Sequence, residues 1–169
     1  MGIKKISTAL ILTFCLLQAG GCFAVGTKTL PKESNSYFYA PAGMVCNAVL
    51  SENIHSSSTV VGQNVSVILI DDLKYKGRVI ASSGSTILGT ITQNKIAGLG
   101  SNATKLRIRF TTIRTPYNNL IPVSAVVMTN DKSGYITANT AENAENKVIM
   151  SANSKINLLF DQPITVTAQ

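Results

Sequence analysis

Ile80-Ala81-Ser82-Ser83-Gly84-Ser85-Thr86-Ile87-Leu88-Gly89-Thr90-Ile91 decides the fold class. Small polar residues lead to Gly84, which turns the chain, and Thr86 to Thr92 then reads as a strand. The pattern occurs twice more. It begins Ala40-Pro41-Ala42-Gly43 and runs to Leu50, and it returns as Met150-Ser151-Ala152-Asn153 running to Phe160. Gly and Asn both tolerate positive φ, so each copy can swing the chain sharply into a strand.

Other stretches extend this reading. Asn64 to Ile70 is apolar on both faces, as in a strand covered on both sides. Short strands are expected at Arg78 to Ala81, Lys147 to Met150 and Lys155 to Phe160, with an edge strand at Ile164 and Val166 after Pro163. Thr104 to Arg114 and Leu120 to Met128 flank Thr115-Pro116-Tyr117-Asn118-Asn119, whose Pro and Asn pair have the chemistry of a hairpin turn. Pro122 predicts an edge or a bulge early in the second strand. Ser51 to Gly62 reads as a loop, and Thr140 to Lys147 as one or two helical turns. No long helical period occurs after residue 24, so the expectation is an all-β fold. It is a small closed or partly open β-barrel of about nine short strands, since closure removes sticky strand edges.

The start of the chain reads as a leader. Lys4 and Lys5 precede an apolar run from Ala9 to Leu17, and small residues follow from Ala19 to Ala24. This is the order of a secretory signal peptide, and the run is too short for a membrane anchor. The division expected is 1–24 signal peptide, 25–36 flexible linker and 37–169 β-barrel domain. Ala19-Gly20-Gly21-Cys22 also resembles a lipobox, which would make Cys22 a lipidation site and the protein lipid-anchored or peripheral to a membrane. Cleavage sites tolerate many small-residue sequences, which favours the soluble reading.

Few residues invite catalysis. Cys15 and Cys22 lie in the leader, so Cys46 has no internal disulfide partner and reads as a small buried hydrophobe. His55 is the only histidine, which rules out a multi-histidine metal site in one chain. Its neighbours Ser56-Ser57-Ser58 come without a signalled carboxylate orienter or oxyanion hole. Asp71 and Asp72 are adjacent, so in a strand they point apart. Gly98-Leu99-Gly100 is too short for a phosphate loop. Asn64 and Asn102 match the glycosylation triplet, which matters only in a eukaryotic source. No catalytic residue, cofactor or metal is expected.

Charge supplies the one candidate contact face. The chain carries formal charge +7, falling to +5 without Lys4 and Lys5. Lys105, Arg107 and Arg109 alternate with Leu106, Ile108 and Phe110, and Arg114 lies just beyond. Alternate strand residues share a face, so three cations line one side while three apolar residues enter the core. The stripe can be a solvated face with inter-strand ion pairs or a contact surface for an acidic protein or an anionic envelope polymer. Nucleic acid is not expected as partner: export separates the two, and no aromatic is expected on the cationic face as a stacking platform, since Phe110 points the other way.

The order of these motifs resembles the C-terminal domain of TrbI-type conjugal transfer proteins, scaffold subunits of the outer-membrane core complex of type IV secretion systems. The stretches that carry it run from about Tyr39 to Phe160. They are Pro41-Ala42-Gly43, Val61-Gly62-Gln63-Asn64-Val65, Leu73-Lys74-Tyr75, Ser83 to Gly89, Lys105 to Phe110, and Thr115 to Ile121. The resemblance implies an exported, non-enzymatic barrel that assembles with other envelope proteins or with itself, in the periplasm or at the outer membrane. Asn153 stands where the family's last turn has glycine. Asn130 to Asn146 is polar and too short for the family's membrane-crossing helical pair, so a barrel is implied and a pore is not. A ligand-binding or cell-wall-binding module is the alternative, and a groove lined by tyrosines would favour it.

Overall fold

A computed structural model describes residues 37–98, 103–138 and 147–167. The expectations for 1–24, 25–36, Cys22 and, Lys147 apart, the helical turns from Thr140 to Lys147 lie outside the described residues. The strands are β1 (Tyr37–Ala40), β2 (Val45–Leu50), β3 (Ile54–His55), β4 (Asn64–Leu69), β5 (Leu73–Tyr75), β6 (Arg78–Ala81) and β7 (Thr86–Lys95). After them come β8 (Thr104–Arg114), β9 (Leu120–Val127), β10 (Tyr135–Ala138), β11 (Ile149–Met150), β12 (Lys155–Phe160) and β13 (Ile164–Thr167). Among the described residues there is no helix. There are thirteen elements against the expected nine or so: the expected loop from Ser51 to Gly62 contains β3, and Tyr135–Ala138 adds β10, both short pieces that pair far away in sequence.

Six strands close a barrel. β2 pairs with β4, β4 with β7, β7 with β8, β8 with β9, β9 with β12, and β12 returns to β2, all antiparallel. β10 adds to the first half of β8, while the second half of β8 takes β9 on that same edge. β1 with β13, β3 with β11, and β5 with β6 form three two-stranded ribbons. Phe110, Phe160, Leu50, Ile87, Ile108 and Leu158 are fully buried, so the interior is filled by side chains.

The repeated turn of the sequence has one structural job. Gly84 (φ 81°) donates its N–H to the carbonyl of Leu69, and Leu69 N–H donates back to Ser85 O, at 2.9 Å each. Gly43 (φ 89°) makes the same reciprocal pair with Phe160 through Met44 O. Asn153 (φ 63°) makes it with Leu50 through Ser154 O, filling the glycine role as the sequence predicts. A fourth copy joins Gly62 (φ 90°) and Gln63 to Ile91. The pairs β2–β12 and β4–β7 are thus clamped at both ends, and each clamp closes on a large side chain of 1% exposure or less. Backbone groups at these corners are satisfied within the protein, so the barrel turns without unpaired buried donors.

Candidate interaction surface

Bulges decide which way the β8 cations point. Leu106, Ile108 and Phe110 are buried, while Lys105, Arg107 and Arg109 take the other face. Strict alternation would send Arg114 inward. Thr111 is an extra residue against β7, since Phe110 faces Gly89 and Thr112 faces Leu88. After it Ile113 enters the core and Arg114 returns to the outer face, exposed. The ladder to β9 is also irregular there, with Thr112 opposite Pro122, so the proline sits at the expected bulge. From Lys105 to Arg114 the face runs roughly 30 Å at ~3.3 Å per residue.

The four cations have different surroundings. Arg109 Nη2 lies 3.2 Å from Asp161 Oδ2, and its Nη1 donates to Ser124 Oγ at 2.6 Å. Arg107 sits under the Tyr135 ring, 5.1 Å from its centroid, and its Nε is buried without a hydrogen bond. Tyr135 Oη reaches across to donate to Gln93 Oε1 at 2.8 Å. Only Lys105 and Arg114 are exposed, at the two ends. Lys95 stands directly opposite Lys105, a like-charge pair that an anion would relieve. One sequence expectation is corrected here: an aromatic does share this face. Tyr135 comes from β10, whose pairing with β8 is not visible in the β8 sequence.

The other candidates have plain places. Cys46 is buried, and burial pushes its thiol up to about 12, against a smaller opposing hydrogen bond from the Leu158 backbone. His55 is exposed in β3; Ser58 Oγ donates to its carbonyl, and Ser56 Oγ accepts from Val148 N–H. Asp71 and Asp72 serve separate partners at the end of β4. Asp71 accepts from Asn47 Nδ2 at 3.1 Å, whereas Asp72 accepts from Ser83 N–H at 2.8 Å and pairs with Lys74 at 3.1 Å. The Ser83 hydrogen bond and the Lys74 contact hold the Asp72 carboxyl below its ordinary range. Among the described residues no three metal-ligating side chains cluster. No helix among them is long and apolar enough to cross a membrane.

A second feature, not foreseen in the sequence, is an open cleft of about 390 Å³. Phe38, Arg78, Val79, Leu120 and Val166 line it, so it brings together β1, β6, the start of β9 and β13. In β6, Ile80 is an extra residue against β5, which buries both Ile80 and Ala81 and leaves Arg78 and Val79 outward together.

A closed six-stranded barrel with a β1–β13 ribbon and an added β10 is the class of fold that this chain defines. It is similar to the structure of ComB10 of the Com type IV secretion system of Helicobacter pylori. The two share 16% identity with a TM-score of 0.53, over 75% of this chain and 89% of that one. At that identity the likeness is one of fold. No protein-family model matches the chain, and no curated protein matches it by sequence.

Proposed function

We propose that this chain is an exported, non-enzymatic structural or assembly component of a bacterial cell envelope, of the type IV secretion or conjugation kind. The single observation that carries the reading is the fold shared with ComB10, a type IV secretion component, over most of both chains. In this reading 1–24 is a signal peptide, 25–36 a linker, and the barrel works by protein contact in the periplasm or at the outer membrane. The TrbI-type resemblance of the turn order points the same way. The cations left exposed at the ends of β8, Lys105 and Arg114, suit acidic envelope partners.

The cell-wall-binding alternative expects a groove lined by tyrosines. The cleft beside Arg78 is lined by Phe38 and by aliphatic and small polar residues instead, which favours protein contact. Crosslinking in the native envelope, with mass spectrometry of captured partners and of the mature N-terminus, tests the proposal. Defined secretion or conjugation subunits crosslinked to β8 support it. A chain that stays monomeric and uncrosslinked in a native envelope refutes it. The N-terminal peptide separates lipidated Cys22 from Val25.

A further inference from the structure

Sheet edges and charge come together at the cleft. Among the described residues β6 pairs only with β5 and β13 only with β1, so each has an unpaired edge, and both strands line the cleft. Such an edge is a template for an added strand. Val79 is 52% exposed and Leu120 61% exposed, side chains that a neighbouring strand would cover. The Arg78 guanidinium lies 5.4 Å from the Phe38 ring centroid, which fixes it at the cleft. Arg78 makes no ion pair among the described residues, and no acidic residue lines the cleft. Arg114 stands opposite Leu120 at the cleft's edge, likewise without an ion pair among the described residues.

We infer that this cleft receives an extended, acidic segment of a partner protein, added as a strand along β6 with a carboxylate on Arg78. The inference rests on the assembly reading above and names its partner chemistry. Main-chain hydrogen bonds to the β6 edge supply affinity, Val79 and Leu120 receive alternate apolar side chains, and Arg78 selects the charge. Charge argues against residues 25–36 and against a second copy of the chain as occupants. Residues 25–36 carry Lys28 and Lys32 against Glu33, and a second copy brings another positively charged surface.

The test uses the purified full chain, isotope-labelled, with short synthetic peptides of alternating Val and Thr. One peptide has a central Asp and the other a central Lys. The Asp peptide shifts the amide resonances of Arg78, Val79, Ile80, Leu120 and Ile121, and binds about tenfold more tightly than the Lys peptide. Arg78→Glu reverses that order, and Arg78→Met abolishes the preference while leaving weak binding to both. Arg78 is exposed, so both variants keep the fold, which circular dichroism checks. Equal affinities for the two peptides, or shifts confined to β8, overturn the inference. So does self-association of the protein alone that Arg78→Glu abolishes, since a second copy then fills the cleft. If envelope crosslinking finds assembly partners while both peptides leave the cleft untouched, this inference falls and the scaffold reading stands.

Discussion

Replacing Gly89 by alanine tests the closest approach in the barrel. Gly89 lies in β7 opposite Phe110, at the bulge that turns Arg114 outward. A Cβ there would sit 2.6 Å from the Arg109 carbonyl oxygen and 2.7 Å from Phe110 Cδ1. One neighbour is backbone in a paired strand, and the other is a ring with no exposure, so neither yields freely. Overpacking of a filled core costs about 1–3 kcal/mol, and two rigid neighbours put this site at the top of that range. Alanine restricts the unfolded chain, which returns about 0.4–1 kcal/mol. The net expectation for Gly89→Ala is therefore a loss of ~2 kcal/mol, or about 7 °C in Tm for a domain of roughly 130 residues. Urea unfolding followed by far-ultraviolet circular dichroism measures it, as a lower midpoint at unchanged slope. Phe110→Leu combined with Gly89→Ala should be less destabilised than the sum of the two singles by about 1 kcal/mol, because the smaller side chain makes room. Strict additivity, or a Gly89→Ala protein as stable as the parent, would falsify the close-approach argument.

Other consequences are simpler to check. Asp131 Oδ1 accepts from Thr129 Oγ1, Ser133 N–H and Ser133 Oγ, and these bonds lower its carboxyl to about 2. A depressed carboxylate stabilises the fold above its unfolded value and loses that contribution as pH falls through its folded one. Asp131→Asn should therefore flatten the decline in stability between about pH 4 and pH 2; an unchanged acid profile rejects this role for the turn. Cys46 should resist alkylation at pH 8 in the native protein and react once unfolded, read peptide by peptide in a mass spectrometer; rapid native labelling contradicts its burial. Asn94 Nδ2 donates to Ser56 O and Thr59 O at 2.7 Å each, pinning the segment after β3 to β7. Asn94→Ala should cost about 1–3 kcal/mol and speed amide exchange at Ser56 and Thr59, and slow exchange there refutes the pin. Asp161→Asn should cost at most about 1 kcal/mol, since its pair with Arg109 is about a third exposed, and a larger loss in 1 M salt contradicts a screened pair.

Local chemistry made most of the barrel legible. Val, Ile and Thr alternation marked the long strands, and residues able to adopt positive φ marked the corners, Asn153 included. The Thr115–Asn119 turn was legible for the same reason: Asn118 adopts φ 63° and joins β8 to β9. The long-range partners of the shortest strands were not. Ile54–His55 pairs with Ile149–Met150, and Tyr135–Ala138 with β8, across separations that no local pattern records.

By itself the chain determined an all-β fold, its corners and a cationic strand, because strand alternation and turn geometry are properties of neighbouring residues. Tertiary structure decided what each corner clasps, since the Gly84–Leu69 and Asn153–Leu50 clamps need carbonyls from other strands. It also decided how the cations are used. A bulge set by the β7 register returned Arg114 to the surface, Tyr135 covered Arg107, and Asp161 paired with Arg109. The cleft at Arg78 brings together β1, β6, β9 and β13, strands distant in sequence, and pairing of that range is written in the packed barrel alone.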